Sequence, residues 1–310
     1  MRQERVIIEN MSPQLECGTY FIKRIVGEII TVHADVIGDG HDVIQADVAF
    51  KHENEKSFST VRMDHLGNDV HGASFKVTKQ GFYEYKVEAW VDNPLNWQHG
   101  IAAKLKDHQT VTSELLDGIQ YLKPLLKSLG SIDKVFIEQL IHAFQDGGSY
   151  NLAIKEAVSK KLYDLFVKHP MRTLVNSSKV LKVYVDREKA RFSTWYEFFP
   201  RSTASVEGAH GTFKDAERLL PKIAAMGFDT VYLPPIHPIG EVNRKGKNNA
   251  TAAQEGDSGV PWGIGSRLGG HKSIHPELGT EADFKRFIKK ASEFQLEVAM
   301  DLAFQAAPDH

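Results

Sequence analysis

The apolar residues of this chain change their spacing twice along its 310 residues, and each change marks a different kind of element. From about residue 5 to 100 the spacing is two. Gly81–Val91 is the cleanest case: Phe82, Glu84, Lys86 and Glu88 alternate with Tyr83, Tyr85, Val87 and Ala89, which places the two sets on opposite faces of a strand. Strands are also expected in 21–37, interrupted at Gly27, and in 43–50, 58–63 and 73–77, with Asp39-Gly40 as a turn. Short strands joined by turns at these intervals predict an antiparallel, immunoglobulin-like β-sandwich. A structural or carbohydrate-positioning role is expected for such a module.

Near residue 110 the spacing becomes three and four. Leu115, Leu116, Ile119, Leu122, Leu125, Leu126 and Leu129 form one run, and Val135, Ile137, Leu140, Ile141 and Phe144 a second. A third covers Leu152 to Val167, and the breaks are Gly130-Ser131 and Gly147-Gly148. These predict amphipathic helices whose leucine stripes are core or subunit contact. The block ends at His169-Pro170, and 180–186 alternates again, so the helices read as an insertion within the sandwich.

From about residue 190 strands and helices alternate. Strands are expected at 194–199, 229–233 and 296–304, with helices at 213–226 and 281–294. That order predicts a parallel sheet. The polar segment from Ile236 to about Pro276 follows the second strand. Loops this long are usually functional, and parallel α/β folds place their sites at the carboxyl ends of strands. The expected division is a β-sandwich at 1–109, a helical insertion at 110–178, a return strand at 179–189 and a strand–helix domain at 190–310.

Thirty-eight basic residues against 40 acidic ones leave no basic excess, so neither nucleic acid nor a membrane surface is expected as a partner. No apolar run approaches a membrane span or a secretory signal. Cys17 is the single cysteine, which excludes an intrachain disulfide and fits a reducing, cytoplasmic compartment. The chain stops at His310, shortly after a stretch that reads as a buried strand. Domains rarely finish that way, so a fragment is expected.

Two stretches of the long loop carry chemistry. Residues 241–249 place Arg244, Lys245 and Lys247 among several amides, a set able to bind phosphate, sugar hydroxyls or a nucleic-acid backbone, or to stand as a solvated loop. Trp262, framed by Gly259, Pro261 and Gly263, is placed either to stack on a sugar ring or to anchor the loop. His271, His275 and His310 lack metal-ligand spacing, so no metal is expected. Gly263-Ile264-Gly265 has no third glycine at the dinucleotide spacing, and no cofactor is expected.

The order Thr230-Val231-Tyr232-Leu233-Pro234-Pro235-Ile236, then Ile274-His275-Pro276-Glu277-Leu278-Gly279-Thr280-Glu281-Ala282-Asp283-Phe284, then a strand ending in Asp301, resembles the α-amylase family of glycoside hydrolases. Trp195 to Ser202, Leu233 to Gly240, Arg244 to Asn249 and Asp301 to His310 are most similar to its branch of maltosyltransferases that extend α-1,4-glucan from maltose 1-phosphate. The resemblance implies a multi-domain chain: an immunoglobulin-like β-sandwich with a helical insertion, then the first part of a (β/α)8 TIM barrel. It implies that Lys245, Asn249, Val260 and Gln305 contact substrate and that Asp301 supports the floor of the site. Gln305-Ala306 stands where α-amylases carry Asn-His, which favours the maltosyltransferase branch. The implied reaction is a retaining transfer through two carboxyl groups. Both belong to later barrel strands, so this chain alone is expected to be inactive. The implied partners are maltose 1-phosphate, α-1,4-glucan and a second copy of the chain bound through its N-terminal region. A hydrolase or branching enzyme of the same family, or a non-catalytic glucan-binding or dimerising module, are the alternatives.

Overall fold

The computed structural model describes residues 5–145 and 149–310. The first four residues and the Gly147-Gly148 break therefore lie outside the described residues. The chain is rich in sheet, with helices between and after the strands. It divides into two compact units, Met1–Glu188 and Lys189–His310.

The first unit opens with eight strands: β1 (Val6–Ser12), β2 (Ile22–Ile25), β3 (Ile29–Gly38), β4 (Ile44–His52), β5 (Ser59–Arg62), β6 (Asp64–Gly67), β7 (Val70–Lys76) and β8 (Gly81–Val91). Two more, β9 (Asn176–Ser177) and β10 (Leu181–Asp186), follow the helices. One sheet has the order β1-β3-β7-β6, and the other β2-β10-β8-β4-β5 with β9 also on β8. All pairs are antiparallel except β10 with β2. The alternation in β8 decides which side chains go inward: Tyr83, Tyr85, Val87 and Ala89 are buried, and their alternates are half-exposed. They join Ile30, Val32 and Val36 of β3 and Val183 and Val185 of β10 in one core shared by both sheets.

The helices of this unit are α1 (Asn93–Lys106), α2 (Thr112–Leu125), α3 (Ser131–Gln145), α4 (Tyr150–Ala157) and α5 (Lys160–Lys168). Two details correct the sequence reading. Residues 93–106, placed above with the strands, are helical. The Asp92 carboxylate accepts the Leu95 N–H at 3.1 Å and Pro94 lies in the first turn, an N-terminal signal. The third periodic run is two helices, because the Ser159 hydroxyl accepts the Leu162 N–H and restarts the helix there. Leu115 and Leu122 of α2, Ile137 of α3 and Phe166 of α5 are buried in a second core. Trp97 of α1 crosses α2 at Gly118, where a Cβ atom would stand 2.2 Å from the indole ring. Its Nε1–H donates to the Glu114 carbonyl at 2.6 Å.

In the second unit β11 (Trp195–Glu197), β12 (Thr230–Leu233) and β13 (Glu297–Met300) form a parallel sheet with β12 in the middle. The helices are α6 (Phe213–Ala216), α7 (Leu220–Ala225) and α8 (Glu281–Glu293). The continuous helix expected at 213–226 is interrupted by a 3₁₀ turn at Glu217–Leu219. Pro221, which has no N–H, sits in the first turn of α7. Helix α8 starts on a capping box: the Thr280 hydroxyl accepts the Asp283 N–H while the Asp283 carboxylate accepts the Thr280 N–H. Phe213, Leu220, Val231, Leu233, Phe287 and Leu296 form the core between these helices and the sheet.

The third strand is shorter than the expected 296–304. Its last bond to β12 runs from Asp301 N to Leu233 O at 2.9 Å. The partner chain segment then continues as Pro234-Pro235, which has no N–H to offer. Leu302 and Phe304, read as buried, are 65% and 90% exposed. Among the described residues no helix is long and apolar enough to cross a membrane.

Candidate ligand-binding site

The carboxyl end of β12 leads into a buried run, Pro234 to Gly240, from which the long loop is built. Three stretches are stitched there by backbone bonds. Gly240 N–H donates to Gly263 O, Gly265 N–H to Pro238 O and Ala307 N–H to Ile264 O, each at 2.8 Å. Gly240 passes so close to 307 that a Cβ atom would lie 2.1 Å from that of Ala307. The Asp309 carboxylate accepts the Glu241 N–H at 2.8 Å and the Val242 N–H at 3.4 Å. The first of these bonds is the main cause that holds its carboxyl below the ordinary range.

These stitches bring Lys245, Asn249, Val260 and Gln305 into the lining of one cavity of about 280 Å³. A second cavity of about 420 Å³ adjoins it, lined by Arg201, Lys247 and Asp257 among others, and Asn249 and Val260 line both. Asn243, Asn248 and Asn249 all have left-handed backbone, at φ of 57°, 57° and 61°. Asparagine tolerates that region, so the amide-rich composition serves the turn geometry as well as any ligand. Two guanidinium groups hold the facing edge: Arg244 donates to Ser258 O at 2.7 Å and Arg201 to Gly259 O at 2.9 Å. Burial, then the neighbouring Arg244 charge, pulls the Arg201 pKa down. The Nε of Arg244 is buried and has no hydrogen-bond partner among the described residues.

Asp301 does not line this cavity. Its carboxylate accepts the Trp262 indole N–H at 2.7 Å. Burial, and next a hydrogen bond to Asp301, raise the Tyr232 phenol. Trp262 also meets Phe199 edge-on, with ring centroids 5.9 Å apart. The indole thus ties the loop to the ends of β11 and β13, the anchoring role of the two considered for it. Glu197 is exposed at the end of β11.

One grouping escaped the sequence reading. His210, from the loop before α6, stacks on His275 at 5.5 Å with 12° between the rings, beside Glu277. In sequence His275 lies nearest His271, but its neighbour in space comes from a distant loop that carries no periodic signal. His271 instead pairs with His310 at 2.9 Å and bonds Ala303 O at 2.7 Å.

Comparison with known sequences decides the kinship. Residues 4–187 match the family described as alpha-1,4-glucan:maltose-1-phosphate maltosyltransferase, domain N/S. The chain belongs to this family. The maltosyltransferase of Methylacidiphilum infernorum is 44% identical over 310 residues, with 99% of this chain and 46% of that protein covered. That of Myxococcus xanthus is 45% identical, with 98% and 47% covered. That of Mycolicibacterium smegmatis is 37% identical, with 99% and 49% covered. The chain thus spans about half the length of the maltosyltransferases it matches.

Proposed function

We propose that the chain is the leading half of an enzyme that moves maltosyl units from α-maltose 1-phosphate to the non-reducing end of an α-1,4-glucan, releasing phosphate. The observation that carries this is the convergence of Lys245, Asn249, Val260 and Gln305 on one cavity at the carboxyl end of β12. An ammonium and two amides suit sugar hydroxyls, and a valine suits the apolar ring face. Asp301, gripped by Trp262, acts as a support for the floor and not as a nucleophile.

The transfer is retaining. One carboxylate attacks the anomeric carbon, phosphate departs with the help of a general acid, and the glucan 4-hydroxyl attacks the glycosyl-enzyme. Neither Glu197 nor Asp301 is assigned to these tasks, so the 310 residues supply donor contacts and not the displacement. The two sheets around one core are read as an immunoglobulin-like sandwich, the helices as its insertion, and β11 to β13 as the first strands of a (β/α)8 barrel. A cytoplasmic homodimer joined through the N-terminal region completes the reading.

Phosphate release from α-maltose 1-phosphate with a maltooligosaccharide acceptor tests it, measured on a protein that joins this chain to the remaining half of the Myxococcus relative. Elongated acceptor together with phosphate is expected. New reducing ends from glucan without phosphate would point to a hydrolase, and the proposal would fall.

A further inference from the structure

We propose that His210, His275 and Glu277 form a binding site for a borderline-soft divalent cation of the Zn²⁺ type. The site owes nothing to the sugar-facing cavity, and it is absent from the sequence expectations above.

The geometry starts at His210. Its Nδ1 lies 2.8 Å from the Gly211 carbonyl. A carbonyl only accepts, so Nδ1 carries the hydrogen and Nε2 keeps its lone pair, the arrangement by which backbone carbonyls orient metal-binding histidines. That Nε2 stands 4.0 Å from Glu277 Oε2. The gap is too long for a hydrogen bond; tetrahedral bonds of about 2.0–2.1 Å to a shared ion set two ligand atoms about 3.3 Å apart, so the exposed Glu277 carboxylate moves in by the remaining distance on binding. One ligand atom from each of the three residues lies within 4.8 Å of the others.

The second imidazole is that of His275, packed against the ring of His210 with centroids 5.5 Å apart. Its Nδ1 accepts the Glu277 N–H across a long 3.3 Å, so in the metal-free ring the proton sits on Nε2. Binding through Nε2 moves that single proton to Nδ1 and gives up the long contact, with no net proton released.

Two imidazoles and one carboxylate select against Mg²⁺ and Ca²⁺, which take oxygen ligands, and leave a fourth tetrahedral position for water. Arg201 and Arg244 also bear on His275. Their charge opposes a dication, so Glu277 carries most of the electrostatic attraction. A bound ion would staple the loop around 204–212 to the turn at Pro276–Leu278.

The test uses the 310-residue chain freed of metal by a chelator. It is titrated with Zn²⁺ by calorimetry and with Co²⁺ by visible absorption. One ion per chain is expected, with the intense spectrum of tetrahedral cobalt. Because the chain has 14 histidines, variants decide the location. H210A and H275A should weaken binding by more than the roughly 10- to 100-fold typical of losing an outer partner. E277Q changes a side chain that is 63% exposed, so it tests the site without endangering the fold, and should weaken binding likewise. H271A combined with H310A should leave it intact. Absence of saturable one-to-one binding, or wild-type affinity in E277Q, would overturn the proposal.

Discussion

The indole nitrogen of Trp262 donates to the Asp301 carboxylate at 2.7 Å, and this bond joins the long loop after β12 to the end of β13. Replacing Trp262 with Phe keeps an aromatic ring edge-on to Phe199 and removes the donor. A hydrogen bond to a charged group contributes about 1.5–3 kcal/mol. Since Asp301 is only partly buried, W262F should lower the urea-unfolding free energy by the smaller figure, about 1.5 kcal/mol.

If the cavity holds a sugar, Q305A and N249A should each raise the KM for maltose 1-phosphate in the complete enzyme. One lost hydrogen bond of about 1 kcal/mol corresponds to about a fivefold change. Steady-state phosphate release measures it, and an unchanged KM in both variants would remove these residues from the donor site.

Helix α8 should be acid-sensitive in a defined window. The Thr280 hydroxyl, then its N–H and the Arg286 guanidinium, hold the Asp283 carboxyl at about 2 against an ordinary 3.8. A depressed carboxyl stabilises the folded state fully above its unfolded value, and that contribution is lost as pH falls through the folded one. The urea midpoint of the second unit should therefore fall between pH 3.8 and about 2. T280A should start from a lower midpoint and show a shallower slope.

Leu122 is fully buried in the helical core. Its replacement by Ala should cost about 2–5 kcal/mol, as deletion of a buried leucine side chain does when the cavity cannot collapse. Denaturant unfolding followed by circular dichroism measures it.

Strand β8 and helix α8 were legible because each announces itself locally. The first does so by strict alternation, and the second by Thr280 three residues before Asp283. Helix α1 was not, because Leu95, Trp97, Ile101 and Leu105 are spread thinly among polar residues and Gly100, so its apolar face shows only in contact with α2 and α5. The end of β13 was misjudged for a related reason. An apolar run looks like a strand, but Pro234 and Pro235 on the neighbouring segment end the ladder. The site residues were named through family resemblance. Their convergence rests on backbone bonds among Gly240, Gly263, Ile264 and Ala307, which leave no side-chain pattern to read. His210 and His275 meet only through loop packing.

Asn249 and Val260 stand between two chambers and face both. A partition of that kind cannot be moved for one tenant without altering the space of the other. Variation at these two positions should therefore be inherited together with variation on both sides, so that the room in the inner cavity and the shape of the outer loop change as a single trait.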